Sequence, residues 1–323
     1  MKNLISILLL IIIPSIAFSK EYFIGGGPDG GTFIYFSNGI SEIVEEKSNN
    51  LSLVVQESGG SVDNLKNVNT NRFDMGITYS GDLYLGREGR LDRKGRQYRN
   101  VHALAYLYGA PAQLVVLKSS GIHNVSDLSF GKKVAVGGIG TGASTAAERF
   151  FKSMGIWNKI QPQYLGYKAG SEALIDGQVD ALWVFSGFPN PAVMNAASKD
   201  KIKILSVYNE AAEKSDFLKD YPFYSKVIIP ANTYQGVLED IVTFQDSTLL
   251  TANKRIPSTD TEEILNHIYT EDGLAYLVNK KSTAKAMSID SGLTGIVTPL
   301  HKGAKNFWRS QGKKLTPEQS QSF

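Results

Sequence analysis

The residues of this 323-residue chain best suited to chemistry are glycines and hydroxyls set just before apolar helical repeats. The first group is Gly25-Gly26-Gly27-Pro28-Asp29-Gly30-Gly31-Thr32. It follows the strand-like run Tyr22-Phe23-Ile24 and precedes Ile34, Phe36, Ile40, Ile43 and Val44, which share one helical face. Strand, glycine loop and helix start together make an anion site. The opening N–H groups of a helix lack intrahelical partners, and its dipole favours negative charge there. Glycine lets the backbone turn sharply and come close to a ligand. Thr32 is expected to add a hydroxyl and to cap the helix. A single loop of this kind is equally a tight turn with no ligand.

The chain builds the device again. Ser58-Gly59-Gly60-Ser61 leads into Val62, Leu65 and Val68, with Ser61 as the expected cap. Gly137-Gly138-Ile139-Gly140-Thr141-Gly142 leads into Ala146, Ala147, Phe150, Phe151 and Met154, and Ala169-Gly170-Ser171 is expected to open a further helix. The strands Asp74–Tyr79 and Asp180–Phe185 both end in Ser-Gly, at Ser80-Gly81 and Ser186-Gly187. The candidate ligand residues are therefore Gly31, Thr32 and Phe33; Gly60, Ser61 and Asn64; Tyr79 and Ser80; Thr141, Gly142, Ala143 and Ser144; and Trp183, Ser186 and Gly187. No arginine lies within the glycine-serine motifs, so helix starts and hydroxyls are expected to meet the charge of a small anion. Lys168 is the nearest cation in the sequence.

Catalytic patterns are thin. His102, His123, His267 and His301 show no metal-ligand spacing, and no Gly-x-Ser-x-Gly elbow occurs. No metal site, cofactor or catalytic residue is expected. Gly25-x-Gly27-x-x-Gly30 matches the dinucleotide fingerprint, with Glu57 placed for a ribose, but Pro28 stiffens the loop and the second glycine loop is left unused. The run Arg87–Arg96, flanked by Tyr84 and Tyr98, is interrupted by acids and glycines and reads as a solvated loop rather than a nucleic-acid surface.

These loops need elements to hold them. One unit runs from Gly31 to Gly81 and a second from Gly142 to Gly187, so one α/β plan is used twice, with a cleft where the units face each other. Gln163-Tyr164-Leu165 is a candidate strand of the second unit. Gln113–Lys118, and Ile241–Phe244 with Thr248–Thr251, are candidate connections between the lobes. From Thr259 onward the pattern is mostly helical and is expected to return to the first lobe.

Lys2, an apolar run from Leu4 to Ile13 and Ala17-Phe18-Ser19 describe a secretory signal peptide over residues 1–19, which implies export to the periplasm. The chain carries 34 Lys and Arg against 31 Asp and Glu, one of the basic groups in the leader, which gives no reason to expect nucleic acid. The absence of cysteine excludes disulfides and thiolate metal sites. The length favours two lobes over one core, and a monomer is expected.

Gly30-Gly31-Thr32-Phe33, Glu57 to Leu65 and Ser120 to Leu128 resemble the TAXI solute-binding proteins of TRAP transporters. Gly140-Thr141-Gly142, Gly177 to Ala181, Phe188-Pro189-Asn190-Pro191, Tyr221-Pro222-Phe223-Tyr224 and Pro299 to Ala304 continue the resemblance in order. It implies an α/β, two-lobed, periplasmic-binding-protein-like fold of type II, with a hinge and an interlobe ligand cleft. It also implies a receptor, not an enzyme, that delivers a glutamate-like amino acid, a 2-oxo acid or a dicarboxylate to TRAP membrane subunits. The expected division is residues 20–113 for the first part of lobe one, 114–246 for lobe two, and 247–323 for the return. Three departures from the family pattern stand out: Phe33 in place of tyrosine, Ala143 in place of threonine, and Lys302 with Phe307-Trp308 near the end. An exported enzyme in the same cleft and a dinucleotide-binding oxidoreductase are the alternatives.

Overall fold

The structure, a computed structural model, describes residues 19–28, 31–91 and 94–321. The expected leader therefore lies outside the described residues, apart from Ser19. The first unit is β1 (Lys20–Gly25), α1 (Thr32–Lys47), β2 (Leu51–Gln56), α2 (Ser61–Asn69), β3 (Met75–Tyr79) and α3 (Ser80–Arg87). A long strand, β4 (Val101–Leu117), leads to the second unit. That unit is β5 (Lys133–Ala135), α4 (Gly142–Ser153), β6 (Gln161–Gln163), α5 (Tyr167–Ile175), β7 (Ala181–Phe185) and α6 (Pro191–Lys199). It is extended by β8 (Ile202–Leu205), α7 (Val207–Lys214), α8 (Phe217–Asp220) and β9 (Ser225–Ile229). A second long strand, β10 (Ile241–Asn253), precedes α9 (Ser258–Ile268), α10 (Glu271–Lys280), α11 (Lys302–Ser310) and α12 (Pro317–Ser320).

The strand order β2-β1-β3-β10-β4-β7-β5-β6 gives each unit its own three parallel strands, with the antiparallel pair β10 and β4 between them. Parallel strands covered by helices bury both faces. All five residues of β3 and all five of β7 are accordingly buried. The long pair changes partners along its length. β4 pairs with β10 up to Pro111 and with β7 and β8 from Ala112, while β10 pairs with β9 up to Gln245 and with β3 from Thr248. This is the two-lobed α/β fold, with two strands crossing between the lobes.

Local chemistry explains the element ends. Phe36, Ile40, Ile43 and Val44 form the buried stripe of α1, as their spacing predicts, and Ile34 is half-buried at its edge. Neither expected hydroxyl cap forms: Gly31 and Gly60 are the cap residues, and Thr32 and Ser61 are the first helical residues. Gly60 has φ +95°, a conformation that disfavours a side chain, so serine moves one place along. Thr141 does cap α4, its hydroxyl accepting from Ser144 N–H at 3.1 Å.

Other sequence expectations need correction. The strand expected at Gln163–Leu165 lies at Gln161–Gln163, because Gln161 and Gln163 pair with Lys133 and Ala135. The helix expected to open at Ala169-Gly170-Ser171 starts at Tyr167 behind Gly166, which leaves Ser171 buried within it. Ile241–Phe244 and Thr248–Thr251 are one continuous strand. The solvated-loop reading fails for Arg87, which ends α3, is 8% exposed and donates to the Val101 carbonyl at 2.8 Å.

The C-terminal helices return to the first lobe. α9 and α10 pack on α1, and Trp308 Nε1 of α11 donates to the Leu104 carbonyl at 2.8 Å. Two buried histidines lie under this junction. His301 caps α11, its Nδ1 accepting from Gly303 N–H at 3.2 Å, and His102 sits 6.3 Å away, ring to ring. Burial lowers both from their usual 6.5, His102 to about 3 and His301 to about 4. Neutral histidines in the folded state bind fewer protons than unfolded ones. Their contribution is therefore complete above pH 6.5 and is lost as pH falls towards 4. His102→Gln should gain about 1–2 kcal/mol relative to the parent on going from pH 7.5 to pH 5, measured by urea unfolding at both.

Candidate ligand-binding site

The starts of four helices meet at one cavity of about 80 Å³ between the lobes. The α1 start contributes Gly31, Thr32 and Phe33, and the α2 start contributes Gly59, Gly60 and Ser61. From the other lobe, the α4 start brings Gly137, Gly138, Thr141, Gly142 and Ala143, and the α5 start brings Gly166 and Tyr167. Pro28, Tyr79 and Ser186 complete the wall. No described residue of this wall is ionisable except the two tyrosines, and burial pushes both phenols up, away from ionisation. The positive ends of four helix dipoles therefore face the cavity without an opposing carboxylate among the described residues of the wall.

Hydroxyl protons on this wall are mostly committed. Tyr79 and Tyr167 both donate to the Phe185 carbonyl, at 2.6 and 2.7 Å, so their rings rather than their hydroxyls face inward. Ser61 Oγ donates to Asp82 at 2.6 Å and accepts from Tyr79 N–H at 2.9 Å. Thr141 Oγ1 donates to the Gly138 carbonyl at 2.8 Å. Thr32 and Ser186, from opposite lobes, share one hydrogen bond at 3.0 Å, which occupies only one of their two protons. That pair supplies the one uncommitted hydroxyl proton on the described wall.

Five of the expected ligand residues lie elsewhere. Asn64 is fully buried, and its Nδ2 donates to the Gly26 and Ile77 carbonyls at 2.7 and 2.8 Å, tying the ends of β1 and β3 together. Ser80 Oγ turns to the Gly295 carbonyl. Ser144 Oγ folds back to the Thr141 carbonyl at 3.0 Å and reinforces the α4 cap. Trp183 is core, stacked on Phe150 at 5.5 Å, because its position in β7 points away from the cleft. Gly187 packs against Thr283 and Tyr108. Lys168 is exposed and off the wall. Tyr167 was the wall residue hardest to anticipate; the glycine before it was its only signal.

Behind Ser61 lies a charged cluster that no motif announces. Asp82 of α3 is fully buried and pairs with Arg149 of α4, so the ion pair spans the two lobes. Arg149 also donates to Tyr224 at 2.7 Å and to Thr145 at 3.2 Å. Burial would lower Arg149, but the Tyr224 hydroxyl and the two aspartates outweigh it and hold the guanidinium charged. Asp246 of β10 accepts Gly81 N–H at 3.2 Å, and burial, followed by the charge of Asp82, pushes its carboxyl well above the usual range.

The lobes meet closely around the cavity. A Cβ placed on Gly142 would lie 2.6 Å from the Tyr79 ring and 2.8 Å from Ser61 Cβ, so only glycine permits this approach. Among the described residues no group of three or more His, Asp or Glu could hold a metal ion, and no helix is long and apolar enough to cross a membrane.

The architecture is similar to two solved structures. One is the alkanesulfonate-binding protein SsuA from Xanthomonas axonopodis pv. citri bound to MOPS, at 14% identity and TM-score 0.51, covering 91% of this chain and 92% of that one. The other is MatC from Rhodopseudomonas palustris with bound malate, at 12% identity and TM-score 0.52, covering 84% and 90%. At such identities the likeness establishes the fold, which is that of solute-binding proteins. The sequence itself matches the NMT1-like family over residues 24–312, and the chain belongs to that family.

Proposed function

We propose that this protein is an extracytoplasmic receptor that holds a small organic acid between its lobes and hands it to a membrane transporter. The observation that carries the reading is the convergence of four helix starts, two from each lobe, on one cavity without an ionised side chain on its described wall. An anion there gains N–H donors from both lobes only when they close, which couples binding to closure. Thr32 and Ser186 add the free hydroxyl, and Gly31, Gly60, Ser61, Tyr79, Thr141, Gly142 and Ala143 shape the rest. MOPS in SsuA and malate in MatC are likewise small anions.

The TAXI motifs support a TRAP transporter as the partner, and the leader-like residues 1–19 support export. The exchange of partners along β4 and β10 supports lobe boundaries at 113/114 and 246/247. The mature protein with a saturating acid should gain about 2.7 kcal/mol at a hundredfold excess over Kd, read as a raised melting temperature. The acid should be recovered chemically unchanged. Turnover of the stabilising acid would replace the receptor by an enzyme using the same cleft.

A further inference from the structure

We infer that the ligand is a compact monocarboxylate, with one anionic head, a short apolar tail and no ammonium group. The inference rests on the receptor reading above and narrows its ligand class. Size is the first constraint. A cavity of about 80 Å³ favours a compact ligand.

Charge is the second constraint. An ammonium group would stand beside four positive helix ends and needs a carboxylate partner to be buried at all. Two described carboxylates reach wall residues: Asp82 is engaged by Ser61 and Arg149, and Asp63 accepts from Gly59 N–H at 3.1 Å at the start of α2. A second carboxylate fares no better. Arg149 is spent on Asp82, Tyr224 and Thr145, and one hydroxyl proton remains on the described wall. The remainder of the wall, Pro28, Phe33, Ala143 and the rings of Tyr79 and Tyr167, suits a few methyl or methylene groups.

The test is titration calorimetry on the mature chain with four probes: 2-oxobutyrate, malate, glutamate and ethanesulfonate. The expected result is binding of 2-oxobutyrate at least tenfold tighter than malate or glutamate. Asp29 adjoins the loop but lies outside the described residues, so the series is repeated on Asp29→Asn, where the same ranking is expected. Malate or glutamate within tenfold of 2-oxobutyrate, or tighter, overturns the monocarboxylate inference and leaves the acid receptor standing. Binding of ethanesulfonate alone likewise overturns the monocarboxylate inference and leaves the acid receptor standing, and binding of none of the four at millimolar concentration overturns the acid receptor itself.

Discussion

Replacing Arg149 by methionine should destabilise the protein by about 3–5 kcal/mol, the largest effect expected of any single substitution at the site. Methionine keeps much of the apolar stem but leaves the fully buried Asp82 without its cation. Removing one partner of a buried pair costs this much because the other charge stays buried and uncompensated. Asp246, displaced upward by burial and by the charge of Asp82, would lose the opposing influence of the Arg149 charge. Adding Asp82→Asn to Arg149→Met should restore at least about 1 kcal/mol, since an amide still accepts from Ser61 without carrying charge. Urea unfolding of the two single variants and the double variant measures this. A loss below about 1 kcal/mol for Arg149→Met would show that the interlobe ion pair does not hold the lobes as described.

The second large effect falls on binding rather than folding. Gly142→Ala should weaken acid binding by about 5- to 150-fold, the equivalent of the roughly 1–3 kcal/mol that overpacking a tight contact costs. The added methyl meets the Tyr79 ring and Ser61 across the cleft, so it opposes closure specifically. Gly142 is the first residue of α4 and has no positive φ, so alanine suits the helix itself and can add up to about 1 kcal/mol to its formation. The melting temperature of the ligand-free protein reads any cost of the same contact before ligand is added. Calorimetry and a melting curve on the same sample separate the two effects, and unchanged affinity would mean that the ligand is held without this closure.

How far the sequence reaches differs by position. Glycine-hydroxyl loops before apolar helices are local signals, and Gly31, Gly60, Thr141 and Gly142 do come together on one wall. Their assembly was legible because the plan is repeated. Asn64 was not, because its role depends on the backbones of β1 and β3 meeting beside α2. Tyr79 and Trp183 occupy comparable strands, but Tyr79 ends its strand and reaches the cavity, whereas Trp183 sits mid-strand among Phe150, Phe151 and Phe185. Alternation along a strand gives two faces without saying which one meets the cleft. β4 was visible only from Gln113 to Lys118, because both of its faces are buried and no alternation marks its first half. Asp82 and Arg149 are 67 residues apart and meet only through the packing of two lobes, so no spacing rule could pair them.

The most direct measurement is amide chemical-shift mapping of the mature protein as 2-oxobutyrate is added to saturation. The largest changes should cluster on the opening N–H groups of four helices, at Thr32 and Phe33, Ser61 and Val62, Gly142 and Ala143, and Tyr167 and Lys168, with both lobes responding at one common Kd. Changes confined to one lobe, or centred away from these helix starts, would contradict it.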